Sequence, residues 1–434
     1  MIEKIRKLLK ECIKIDGYTV VEHKINSSEF FFIKKRLDMD RGKNINNFNI
    51  TVYKNFEEGN IKYTGSSSAM IHPTMSDKEI LKVIDEVALA AIYIKNKYYP
   101  MVEPSDIVQP EIKSNFSEKA LNQWLPTITE ALYKSDIYDK GCINSSELFL
   151  NKIYTHIINS KGVDISYTTY NGEIEFITNW KVGDEEIELY KHMDFSNMDC
   201  DLIEEKVKEM LIFSSEKAIA SPTPALLKHT VLLTGEPVID LLNYYLDNSS
   251  AKSIYNGMST AKLGENIQGD DAMGDLITLT LDPFMKNSTK SCPYDADGFP
   301  VDSVEIYKKG VLNKYHGDVR HCHYLNIEPT GSISNFIIEG GAYSIFDFKK
   351  VPYLDIVAFS DFQIDDLTGD FGGEIRLGWY FNGTNTIPVT GGSISGNIND
   401  LQKEMYLSKE LQRDNNFVGP KTVKLLNVSV AGIV

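Results

Sequence analysis

Residues 229–267, HTVLLTGEPVIDLLNYYLDNSSAKSIYNGMSTAKLGENI, decide how this chain is read. The run Val231-Leu232-Leu233, closed by Gly235, has the length and apolar content of a buried strand. Pro237 stands where a first helical turn tolerates it, because the missing N–H would have had no partner there. Behind it Val238, Leu241, Leu242 and Tyr245 recur at three- and four-residue steps, which is one face of an amphipathic helix. A turn rich in Asn, Ser and Gly follows, and then Lys262-Leu263-Gly264-Glu265. A strand feeding a helix is a common frame for a site, but it carries no chemistry by itself.

The pattern VLLTGEPVIDLL, then SA, Y-x-G-x-S and LGE, resembles the opening of the C-terminal half of the TldD/PmbA family, the modulators of DNA gyrase. The resemblance extends to a closing block. Thr368-Gly369-Asp370-Phe371, Asn382-Gly383, Pro388-Val389 and Ser395-Gly396-Asn397 are similar to the family's T-G-x-F-S, N-G, P-V and S-G-N, in order. Gly372 stands where the family usually has serine. TldD-type subunits carry H-E-x-x-x-H on the first helix and bind zinc through its histidines, with a C-terminal cysteine as third ligand. The matching segment here is Gly235-Glu236-Pro237-Val238-Ile239-Asp240, and no cysteine follows Cys322. Zinc at a catalytic site needs three protein ligands; Glu236 and Asp240 are what remains at the motif positions. The resemblance therefore implies a PmbA/TldE-type subunit with no catalytic residue and no metal of its own. It further implies a heterodimer with a TldD-type partner that supplies zinc, and unfolded or small peptides as substrate.

Composition narrows the alternatives. With 42% hydrophobic and 24% charged residues over 434 positions, the chain can bury two cores of ordinary size. A formal net charge of −16 without any Lys/Arg run argues against a nucleic-acid surface. Five dispersed cysteines, Cys12, Cys142, Cys200, Cys292 and Cys322, contain no CxxC pair and fit reduced thiols. The amphipathic start MIEKIRKLLKECIKI lacks a signal peptide's apolar centre, and no apolar run could span a bilayer. These features predict a cytoplasmic protein that engages neither membrane nor nucleic acid.

Along the chain the reading is α+β. Residues 1–220 form an N-terminal domain of helices and antiparallel sheet, and residues 225–434 form a β-rich domain of barrel-like antiparallel sheets. Ser221-Pro222-Thr223-Pro224 marks the step between them. In the first domain a helix over 1–15 precedes strand segments at 18–22, 29–33 and 48–53. Ser76-Asp77-Lys78-Glu79 is a capping box opening a helix to about 96. Pro126 should kink or interrupt a helix begun at Ser117-Glu118. Asn159-Ser160-Lys161-Gly162 matches the family's N-S-x-G turn, Asn171-Gly172 predicts a second hairpin, and a helix runs from about 200 to 220. The second domain should place short strands near 276–281, 304–307, 311–315, 332–338, 351–359 and 374–381, with one late helix at 399–410.

Two further groups are candidates for chemistry. Asp295-Ala296-Asp297-Gly298 reads as a turn, since the glutamate a calcium loop needs would fall at Ile306. His316, His321 and His323 are the densest donors, and on a strand His321 and His323 would share a face. They are the metal candidates of a stand-alone hydrolase with a relocated site. A third reading is a homodimeric peptide-binding or regulatory protein without proteolysis. The remaining histidines, His192 among them, read as isolated.

Overall fold

A computed structural model describes residues 1–433. The first half is built on one antiparallel sheet of seven strands. Their spatial order is Asn96–Lys97, Ile61–Ile71, Arg36–Glu58, Gly17–Ile33, Gly141–Asn159, Asp164–Val182 and Glu185–Phe195. Alternation sends Val20, Phe30, Leu148, Ile174, Phe176 and Leu189 to one face. The helices Ile2–Glu11, Asp77–Ala91, Leu125–Tyr133 and Cys200–Ala218 bury that face as two clusters. The opposite positions, among them Phe31, Glu173, His192 and Asp194, face away from the helices.

In the second half, five strands close on themselves. Leu227–Thr234 pairs with Thr422–Ala431, which pairs with Ser393–Asn397, which pairs with Asp370–Phe381. Asp370–Phe381 pairs with Tyr353–Ile364, and that strand returns in parallel to Leu227–Thr234. The ring is a barrel, as the many short strands predict. The family-like closing residues stitch it. The Asn397 amide donates to the Thr368 carbonyl at 2.9 Å and to Asp370 Oδ1 at 2.8 Å. A six-stranded sheet, including Leu279–Leu281, Phe336–Ile338 and Leu411–Asp414, packs alongside. Ser221–Pro222 already pairs with Val389–Thr390 of the second half.

Several local expectations are corrected. Asn171-Gly172 makes no hairpin: both lie mid-strand, opposite Asn151 and Leu150. A Cβ on Gly172 would stand 2.4 Å from the Phe195 ring, so this glycine serves close packing and not a turn. The turns fall at 160–163, where Asn159 Oδ1 accepts from the Lys161 and Val163 amides, and at Gly183, whose φ is +62°. Pro126 opens the helix Leu125–Tyr133 rather than kinking one, after two 3-10 turns at Asn115–Glu118 and Leu121–Trp124. The capping box at Ser76 forms with both arms, but its helix ends at Ala91. The late helix is a single turn, Ile398–Leu401, because the strand Tyr406–Leu407 pairs with Lys424 and Val423 soon after.

Candidate functional site

Gly235, with φ +79°, turns the chain from the barrel strand Leu227–Thr234 into the helix Glu236–Asn248. Val238, Leu241, Leu242 and Tyr245 are fully buried, as their spacing predicts. The Tyr245 hydroxyl donates to Gln402 Oε1 at 3.0 Å, and Gln402 in turn donates to the Ile267 carbonyl at 2.8 Å. This satisfied pair helps to set the helix's rotation on the barrel. The same rotation presents Glu236 and Asp240, one turn apart, to a cleft of about 570 Å³ between the two halves.

Across that cleft runs the sheet's edge strand Glu185–Phe195. Lys191 points to the helix-bearing face, between Leu189 and Met193, and reaches Glu236: Nζ to Oε2 is 2.8 Å. The lysine stem is nearly covered, while Glu236 still meets the water of the cleft. Burial alone would raise the Glu236 carboxyl, but the Lys191 ammonium, with Lys206 and His192 beyond it, outweighs this and holds it low. Asp240 receives less compensation. Burial first, and then the charge of Glu236, pushes its carboxyl up to about 6. Glu209, Glu236, Asp240, Asp361 and Asp414 outnumber Lys191, Lys206 and Arg376 around the cleft, which is therefore acidic.

These residues do not fit a zinc ion. Two carboxylates are one ligand short of the minimum, and a lysine ammonium already satisfies one of them. The alternative histidines are not brought together either. The segment holding His321 and His323 is a helix, Val319–Leu325, not a strand, and on a helix the two lie about 200° apart. Asp318 caps this helix and also holds His321 Nδ1 at 2.9 Å from both of its oxygens. Buried His316 sits 3.0 Å from the Leu246 carbonyl through Nε2, anchoring the end of the Glu236–Asn248 helix. His323 is exposed beside the Tyr98 ring. Asp295-Ala296-Asp297-Gly298 is a turn: Asp295 Oδ1 accepts from the Asp297 and Phe299 amides at 3.0 Å, and Gly298 takes φ +85°.

Sequence reading missed two participants. Nothing in the local pattern marks Lys191 as the partner of Glu236, 45 positions away. His192 is not isolated: its Nε2 lies 3.4 Å from Glu173 and 3.5 Å from Asp194. Among the described residues, these three form the one group of His, Cys and acidic donors close enough to share an ion.

The architecture defines the class: a seven-stranded antiparallel sheet joined to a small five-stranded barrel, with the helix Glu236–Asn248 following the barrel strand Leu227–Thr234. Residues 227–432 match the model of the PmbA/TldA metallopeptidase C-terminal domain. Among curated proteins, an uncharacterized protein of Methanocaldococcus jannaschii is 25% identical over 363 residues, covering 76% of this chain and 80% of that protein. The PmbA metalloprotease of Escherichia coli O157:H7 is 23% identical over 48% of this chain and 46% of its own length. A PmbA homolog from Buchnera aphidicola is 22% identical over 94% of both. The crystal structure of TldE from Thermococcus kodakarensis superposes over the whole of both chains with a TM-score of 0.79 at 17% identity. A Thermotoga maritima protein described as a modulator of a DNA gyrase gives 0.77 at 17%, again over both whole chains. Residues 227–432 thus match the PmbA/TldA C-terminal domain, and the whole chain shares the fold of TldE and of the Thermotoga protein.

Proposed function

We propose that this chain is the PmbA/TldE-type subunit of a metallopeptidase complex that acts on unfolded or small peptides. In this reading it contributes the cleft and its sheet edges, and a TldD-type partner contributes zinc. The observation that carries it is the Lys191–Glu236 ion pair: on the family's motif helix, an ammonium stands against the carboxylate where the active subunit has a metal. An ammonium neutralises a carboxylate but cannot polarise a carbonyl or lower the pKa of a bound water as zinc does. Exposed strand edges beside a cleft suit an extended peptide, which adds its backbone hydrogen bonds to a sheet. Five unpaired thiols fit a cytoplasmic setting.

The test is to purify this chain and a TldD-type chain from the same cell separately, then mix them over an unstructured peptide. Neither should cleave alone under zinc-free conditions, and the pair should co-elute and cleave once zinc is restored. Cleavage by this chain alone, or its indifference to every TldD-type chain, sinks the reading.

A further inference from the structure

The face of the first sheet that carries no helices holds an unusual ladder near its edge. Glu173 lies directly opposite Asp194, and Glu175, the next residue on that face, lies opposite Glu147 on one side and His192 on the other. Like charges set opposite each other destabilise a sheet unless something positive lies between them. His192 is the cation candidate nearest to hand, yet its Nε2 is 3.4 Å from Glu173 Oε1 and 3.5 Å from Asp194 Oδ1. Both separations exceed a normal N–H···O hydrogen bond of about 2.9 Å. They do match another geometry: a tetrahedral ion with bonds of about 2.1 Å holds its ligands roughly 3.4 Å apart.

A second observation concerns how Asp194 is held. Its other oxygen, Oδ2, accepts from Asn415 Nδ2 at 3.1 Å. Asn415 sits at the turn between Leu411–Asp414 and Phe417–Pro420, in the second half of the chain, with φ +38°. Its side-chain oxygen, Oδ1, accepts from the Thr289 amide at 2.9 Å. The carboxylate is thus oriented from outside the cluster, with Oδ1 left toward His192, which is how metal-binding carboxylates are held in place. His192 and Asp194 also line a smaller cleft of about 260 Å³ that reaches Glu236, so there is room for a water or ligand atom at an open position.

We propose that Glu173, His192 and Asp194 form a divalent-cation site for zinc, with three protein ligands and one open position. This goes beyond the subunit reading: the ion is the chain's own, lies off the motif helix, and is separate from the zinc assigned to the partner. One imidazole with two carboxylates is a donor set that zinc accepts, whereas magnesium prefers oxygen alone.

The test uses the full chain, stripped with chelator and titrated calorimetrically with zinc chloride. One site per chain is expected. His192→Ala, Asp194→Asn and Glu173→Gln should each weaken it by at least about tenfold. Glu147→Gln, on the same face but outside the triad, should leave it unchanged. Cobalt(II) in place of zinc should give the visible bands of a four-coordinate ion, lost in His192→Ala. Circular dichroism of each variant checks that the sheet is intact; the side chains are partly exposed, and three separate variants guard against one failing to fold. Absence of zinc binding, or binding that survives all three substitutions, overturns the site. Uptake of a lysine-containing peptide by these residues with no zinc binding overturns it as well. Cleavage of peptide by the zinc-loaded chain alone supports the site and overturns the subunit reading, so the two failures are distinct.

Discussion

At the scale of single residues, the cleft pairs one well-compensated carboxylate with one that is not. Glu236, held low by Lys191, favours folding above the ordinary glutamate range, and that contribution is lost only in acid. Asp240 works in the opposite sense. Its folded carboxyl titrates near 6, above the roughly 4 of an unfolded aspartate, so folding prefers it protonated. Its favourable contribution is complete below about pH 4 and disappears as pH rises through about 6. Asp240→Asn should therefore raise the melting temperature at pH 7–8 and leave it nearly unchanged at pH 4. The gain should be about 1 kcal/mol, since cleft water screens the group. Thermal unfolding at the two pH values checks this; an equal shift at both would show that Asp240 does not ionise as argued.

At the scale of elements, the helix Glu236–Asn248 was legible because its period survives translation into burial. Four residues at helical spacing became four fully buried side chains. One of the bonds that hold it is fully buried, from the Tyr245 hydroxyl to Gln402 Oε1. Tyr245→Phe should cost about 1–3 kcal/mol by leaving Gln402 Oε1 without its donor inside the core. Chemical denaturation measures this, and a loss below a few tenths would mean that packing alone orients the helix. The misread hairpin at Asn171-Gly172 teaches the converse. A glycine in a strand pattern marks either a turn or a place where another group comes too close for a side chain. Here the group is the Phe195 ring, on the neighbouring strand in space and 23 positions on in sequence. Gly172→Ala should destabilise by about 1–3 kcal/mol through that clash, as read from the denaturation midpoint. A neutral result would show that Phe195 can swing away. Gly372, by contrast, would meet only the Ile394 carbonyl, 3.6 Å from an added Cβ, so the family's usual serine has room there.

At the scale of the whole molecule, the two halves are joined by asparagine side chains that reach across the seam to backbone and to a carboxylate. Asn287 Oδ1 accepts from the Ser196 and Asn197 amides at 3.0 and 2.7 Å, and Asn415 reaches Asp194. Asn287 holds a left-handed φ of +63°, which asparagine tolerates better than most residues. Asn287→Ala should loosen this seam, and calorimetry should then show two thermal transitions where the native chain shows one. A single transition at nearly the native temperature would place the coupling elsewhere.

The sequence by itself determined the α+β class, the strand–helix unit at 231–248, the capping box, the Asn159 turn and the likeness of the second half to the PmbA/TldA domain, because each is written in local spacing or in short ordered motifs. It also determined that the motif helix lacks histidine, which is a matter of identity and not of shape. Only the tertiary structure decided which charged groups meet around that helix and along the neighbouring edge strand. Lys191 meets Glu236, and Glu173 meets Asp194 and His192, through strand register and the seam between halves. The physical reason is range: hydrogen-bonded spacing within a helix or turn is fixed by the backbone over a few residues. A charge pair across a cleft depends instead on how separate elements dock, and no periodicity records that.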